Sequence, residues 1–122
     1  MAKHIRTWRH ALIVVACAVA FATTAAAHHG WSSYDQTRPL AVDGTVKASQ
    51  WENPHGMLTL VTDAKTWDVV LAPTARMQAR GLTREMVAPG AKVRIVGYQH
   101  KEHAEEMRAE RIIVGDKTVE LR

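Results

Sequence analysis

The segment "TWDVVLAPTARMQARG", residues 66–81, changes its period in mid-course. Its first part, residues 66–72, carries the β-branched and aromatic residues that suit a pleated strand. Pro73 then opens a run of helix formers, Ala75, Met77, Gln78 and Ala79, which Gly81 stops. A single short helix therefore follows directly on a strand, and what flanks this pair decides the architecture. On the N-terminal side, "PLAVDGTVKASQWE" (39–52) puts Leu40, Val42, Gly44, Val46 and Ala48 on one alternating set. "NPHG" (53–56) interrupts it, because Asn and Gly favour turns and Pro54 lacks the N–H that a central ladder needs. "MLTLVTD" (57–63) resumes the β pattern, so residues 40–72 read as a three-stranded meander.

On the C-terminal side, "LTREMVAPG" (82–90) is at most one more helical turn, with Thr83 as N-cap. "AKVRIVGYQ" (91–99) alternates Val93, Ile95 and Gly97 as a fourth strand, and "HKEHAEE" (100–106) is a polar connection. "MRAERIIVG" (107–115) and "KTVELR" (117–122) supply a fifth strand and a short sixth. Three strands, a helix and two further strands is the order of the OB-fold, a small Greek-key barrel. The expected fold is mainly β: an OB-fold-like barrel of five to six strands with one short helix between strands three and four. An open sheet or sandwich with the same hairpins is the alternative.

The N-terminal segment has another character. Lys3, Arg6 and Arg9 give a positive start, Ala11–Ala22 is an unbroken apolar run of 12 residues, and "TTAAA" (23–27) offers small residues. That is the pattern of a secretory signal peptide over residues 1–27, with cleavage near Ala27, and it implies a periplasmic or secreted protein. The run falls short of the ~20 residues of a membrane span, so no span is expected after processing. A lipoprotein reading, with Cys17 bearing the lipid, is the variant. The expected domains are the leader 1–27, an irregular arm 28–39, and the barrel 40–122. The leader takes away three of the sixteen Lys and Arg and the lone cysteine, leaving a net charge of +1 and no thiol chemistry. Nucleic acid and anionic membrane surfaces are therefore not expected partners.

Cleavage makes His28 and His29 the beginning of the chain. If His28 is first, one residue offers amine and imidazole together. If Ala27 is first, histidine stands third, and amine, backbone nitrogens and imidazole form a square plane suited to Cu(II) or Ni(II). The freed amine titrates at ~7.7–8.0, so part of it is unprotonated at neutral pH. In the OB-fold the strand 1–2 and strand 4–5 loops serve the ligand face. Here they carry His55 and the pair His100 and His103, spaced to face one way in a turn. The candidate metal ligands are thus His28, His29, His55, His100 and His103, and the expected metal is copper, with nickel or zinc behind it. Met57 and Met107 are soft atoms in the same region.

Each of these residues has a plainer reading. Loop histidines are ordinary, "HKEH" suits a solvated loop, and Asn53-Pro54-His55 suits a structural corner. Trp51, Asn53 and Tyr98 are the candidate ligand-binding residues of a metal-free module that would take a peptide, glycan or periplasmic protein partner. Catalysis is not expected: Glu52 near His55, or Ser32 and Ser33 near His29, does not amount to a nucleophile with an oriented base.

The stretches "AHHGWSSYD", "GTVKASQWENPHGMLTL" and "TWDVVLAPTARMQARGLTREMVAPGAKVRIVGY" together resemble an uncharacterised family of secreted bacterial proteins, domain of unknown function 6152. The resemblance implies a small periplasmic β-barrel-like domain and no established activity. His28, His29, Asn53, Pro54 and His55 fall on its pattern. His100 and His103 do not, which shifts weight to the N-terminal pair with His55.

Overall fold

The structure is a computed structural model and describes residues 30–122. Six strands and one helix follow in chain order: β1 (Leu40–Gln50), β2 (Met57–Val61), β3 (Thr66–Val70), α1 (Thr74–Ala79), β4 (Lys92–Gln99), β5 (Glu106–Val114) and β6 (Lys117–Glu120). β1 is long enough to serve two neighbours. Its first half, from Leu40, pairs with β4, and its second half, to Gln50, pairs with β2. β2 pairs with β3, β4 with β5, and β5 with β6, all antiparallel. The ring closes through a parallel pairing of β3 with β5, from Asp68–Glu106 to Val70–Arg108. The result is a closed five-stranded barrel of OB type, with β6 added outside the ring.

Two β-bulges let so short a sheet curl on itself. In β1 the register slips between Val46 and Ala48, so Lys47 is the extra residue. A bulge bends its strand and turns the following side chains to the other face. Val42, Gly44 and Val46 therefore lie toward the core before it, whereas Ser49 and Trp51 do so after it. The alternation read from the sequence carries on to Ala48; here Ala48 is exposed, because Lys47 has reset the phase. In β5 the same happens at Glu110: Met107 and Ala109 point inward before it and Ile112 after it. Opposite this second bulge stands Gly97, where a Cβ would collide with the Arg108 carbonyl oxygen. Only a residue without a side chain lets β4 and β5 approach so closely.

Leu58, Leu60, Val69, Ile95, Met107 and Ile112 fill the barrel, each at most 2% exposed. α1 closes one end. Met77 enters the core completely, followed by Leu82 and Val87. Gly81 ends the helix at φ 87°, in the left-handed region that glycine adopts without cost. Among the described residues no polar or charged residue is buried.

Residues 30–39 carry a 3₁₀ turn at Trp31–Ser33 and are firmly seated. Tyr34 forms a β-bridge with His100, and the Asp35 N–H donates to the Gln99 carbonyl (2.9 Å). The Lys101 N–H donates to the Ser33 carbonyl at 2.9 Å. Tyr34 is only 4% exposed, buried apart from the main core cluster. The arm thus prolongs the sheet beyond β4.

The Gly97 contact gives a test of the fold. Gly97→Ala should destabilise by about 2 kcal/mol, as overpacking against backbone does. Gly30→Ala, with nothing within 4 Å of its Cβ, should be nearly neutral. Chemical unfolding of both variants checks this; equal midpoints would contradict the bulge geometry.

Candidate functional site

Two loops and the arm carry the residues singled out from the sequence. The first loop, residues 51–56, is held at both ends. The Asn53 side-chain oxygen accepts the Thr74 hydroxyl at 3.0 Å, which ties the loop to the start of α1. The Gly56 N–H donates to the Ala72 carbonyl (3.0 Å), and the Leu71 N–H donates to the Gly56 carbonyl (2.9 Å). The Asn53–Pro54 peptide is cis. Asn53 therefore has a structural bond to make, and His55 sits half-buried on a loop of set geometry. Trp51 packs its ring partly against the core and, with Ser49, Arg84 and Pro89, lines a crevice of about 380 Å³.

The second loop, residues 100–105, is organised by His100. Its Nδ1 accepts the backbone N–H groups of Glu102 (3.0 Å) and His103 (3.2 Å). An imidazole accepting at Nδ1 keeps its proton on Nε2 when neutral, and that nitrogen lies 3.7 Å from Glu106 Oε2. The Tyr34 ring stands edge-on to His100, centroids 5.1 Å apart, and the Tyr34 hydroxyl donates to Glu106 Oε1 at 3.3 Å. His100 Nδ1 thus accepts from the loop's own backbone, and Nε2 faces the Glu106 carboxylate. In this geometry His100 braces the loop and the arm. His103 stacks beside His100 at 4.5 Å and is exposed. It lines a groove of about 540 Å³ with Met57, Asp68 and Glu105, along the outer face of β2 and β3. Met107 is wholly in the core. Among the described residues no group of three or more His, Cys, Asp or Glu is placed to hold a metal ion; His28 and His29 lie outside those residues.

Tyr98 and Trp51 do not share a surface. Tyr98 follows Gly97, which pairs with Leu40 at the beginning of β1, whereas Trp51 comes after the end of that strand. The neighbour of Tyr98 is Trp31, edge-on at 6.1 Å. The Tyr98 hydroxyl donates to Glu110 Oε2 at 2.8 Å. The guanidinium carbons of Arg108 and Arg122 lie 4.5 and 4.4 Å from the Trp31 ring centre. Trp31, Tyr34, Arg108 and Arg122 escape the sequence reading as a group. Their one visible signal is the alternation Glu106, Arg108, Glu110 along an outward strand face, which resembles any solvated edge.

Fold and site together define a small OB-type barrel with a fastened N-terminal arm. A family model described as "Family of unknown function (DUF6152)" matches residues 14–108, and the chain belongs to that family. No curated protein matches the chain. Among solved structures, a crystal structure of TiaS in complex with a tRNA and ATP is similar, with a TM-score of 0.50 and 20% identity. That match covers 73% of this chain but only 20% of the other, and at this identity it speaks for the fold alone. Among the described residues no helix is long and apolar enough to cross a membrane.

The arm's anchorage has a titration signature. Burial first, and then the Glu106 charge, push the Tyr34 phenol up from 10.0 to about 12. The Tyr98 phenol is raised too, chiefly by its hydrogen bond to Glu110. A raised folded-state pKa stabilises the fold fully below the unfolded value and loses that contribution as pH climbs through the folded one. Stability should therefore decline between pH 10 and about 12. Phenolate absorbance of the native protein should show Tyr34 still largely protonated at pH 10, and Tyr34→Phe should remove the step near pH 12. Ordinary titration of both rings would contradict the Tyr34–Glu106 contact.

Proposed function

We propose that the chain is a small secreted binding module that takes a transition metal, Cu(II) foremost, through its processed N-terminus and His55. The leader pattern of residues 1–27 supports export to the periplasm and removal of the segment before His28. On this reading the functional protein is the arm 28–39 plus the barrel 40–122, with nickel or zinc as weaker occupants. Membership of a family of unknown function neither assigns nor denies an activity, and the role favoured here is binding.

The observation that carries the reading is where the arm begins. Trp31 lies over Arg108; Arg108 pairs with Val70 across the seam, and Val70 with Met57. That rung crosses β5, β3 and β2, about 10 Å at the usual strand spacing. His55 is two residues before Met57. Trp31 is three residue steps from His28, and each step spans up to about 3.5 Å. The N-terminal amine and imidazoles thus have the reach to meet the His55 imidazole. Amine and imidazole nitrogens are the donor set that Cu(II) prefers.

A specific feature favours a second reading. Ser49 Oγ, buried beside the Trp51 crevice, has no hydrogen-bond partner among the described residues. A peptide, glycan or protein partner that supplies one hydrogen bond there and stacks on Trp51 would use this crevice without metal.

Copper titration of the natively processed protein, without an N-terminal tag, separates the two. The metal reading expects one tight Cu(II) site, lost on blocking the amine and weakened at least about tenfold, or 1.4 kcal/mol, by His28→Ala or His55→Ala. Unchanged affinity in those variants sinks it. The metal-free reading expects partner capture in the presence of chelator that Trp51→Ala abolishes.

A further inference from the structure

The walls of the Trp51 crevice come from two parts of the chain, and the backbone fixes them against each other. One wall is the end of β1 and the residues just after it, from Ser49 to Glu52. The other is the connection from α1 to β4, with Arg84 at the head of a 3₁₀ turn (Glu85–Val87) and Pro89 beyond it. The Gly90 N–H donates to the Val46 carbonyl at 2.8 Å, and the Val46 N–H donates to the Ala91 carbonyl at 2.9 Å. Val87, wholly buried, anchors the turn in the core. The bulge at Lys47 puts Ser49 and Trp51 on the same side of the chain. The crevice is therefore formed before any ligand arrives, as small-molecule sites usually are.

Its polar groups are uncommitted. Ser49 Oγ is buried and has no hydrogen-bond partner among the described residues. Glu52 and Arg84 are exposed, line the same crevice, and take part in no ion pair among the described residues. A hydroxyl withdrawn from water without a partner costs free energy that a ligand group can restore. One carboxylate and one guanidinium leave the crevice without net charge, so its walls favour neither a cation nor an anion. A carboxylate only accepts hydrogen bonds, a guanidinium only donates them, and a hydroxyl does both. Beside a tryptophan ring, that set is met by a neutral molecule with hydroxyls around its rim and one apolar face.

We propose that the crevice binds a neutral saccharide, one or two pyranose rings, with a ring face on Trp51 and hydroxyls on Glu52, Arg84 and Ser49. The proposal rests on the metal-free reading and narrows it to one ligand class. The face of an indole is the negative part of its quadrupole and attracts the C–H hydrogens of a pyranose. Vicinal hydroxyls match the paired oxygens of a carboxylate and the fork of a guanidinium. Ser49 meets a ligand by rotating about χ1 among its staggered positions. A crevice of about 380 Å³ is of small-molecule size. A peptide carries its polar groups along an extended backbone, and a crevice this short engages few of them.

The test is an NMR titration of the natively processed protein, in chelator, with cellobiose, maltose and chitobiose, which differ in linkage and substituent. At least one sugar should shift the Trp51 indole resonance and the amides of residues 49–52 and 84 along one saturable curve. Salt should leave that curve unchanged, because the ligand carries no charge to screen. Glu52→Gln and Arg84→Ala should each weaken binding about fivefold or more, as loss of a charge-assisted hydrogen bond does. Ser49→Ala should weaken it about threefold without lowering the melting temperature, since the hydroxyl it removes has no partner in the free protein. A serine with a merely structural role would give the reverse: lower stability and unchanged binding. Circular dichroism confirms that each variant is folded. No saturable shift with any of the three sugars, saturation that Arg84→Ala and Ser49→Ala leave unchanged, or shifts confined to the arm would each overturn the proposal. If the sugars fail while a peptide or protein is still captured in chelator through Trp51, the saccharide falls and the metal-free reading stands. If that capture fails as well, both fall.

Discussion

Three residues of β3, Asp68 to Val70, pair in parallel with three of β5, Glu106 to Arg108, and this short seam converts a meander into a ring. Its partners are far apart in sequence, so forming it carries the loop-closure entropy of everything between them, α1 included. The inward residues offset that cost. Val69 and Met107 meet at the seam with no exposed surface at all, and burial of such side chains is worth about 1.5–3 kcal/mol each. The bulges at Lys47 and Glu110 supply the curvature, and Gly97 lets the bulged strand close in. Remove the curvature and β3 and β5 become two free edges.

The arm depends on the same seam. Glu106 and Arg108 are successive outward residues of β5, and each holds one residue of the arm: Glu106 takes the Tyr34 hydroxyl, and Arg108 lies over Trp31. The pleat spacing of one strand therefore sets where residues 31 and 34 rest. His100 completes the attachment from the neighbouring loop, facing Tyr34 with its ring and Glu106 with Nε2 while Nδ1 gathers two backbone N–H groups.

How far this is legible in the sequence follows from what each feature rests on. Strand identity rests on local alternation, so β2, β3 and β4 can be read directly, and Pro73 and Gly81 bracket α1 as local signals do. The element order then points to the barrel. Bulges are illegible because they break the very period used to find strands: Ala48 faces inward by counting and is exposed by one inserted residue. His100 is hard to read for a related reason. A histidine on a polar loop shows its ligand chemistry in the sequence, whereas the groups its nitrogens face come from its own backbone turn and from the next strand. Tyr34 gives no signal, since an isolated aromatic in an arm without a period acquires its burial only from the surface it meets.

Charge shows the same limit from another side. Net charge averages over the surface: residues 28–122 carry thirteen Lys and Arg against twelve Asp and Glu. The fold segregates what composition averages. Glu120 neutralises Arg111 at 2.6 Å and Asp35 neutralises Arg38 at 3.0 Å. Arg108 and Arg122 stand against the Trp31 ring, and Arg76 and Arg80 are fastened to the last residues of the chain. The arm and the barrel are thermodynamically linked where Trp31 meets these side chains. A ligand that binds only with the arm seated, such as a cation at its first residues, adds its binding free energy to the arm's attachment. Because the arm is held by outward residues of β5, that stabilisation reaches the closing seam of the barrel itself.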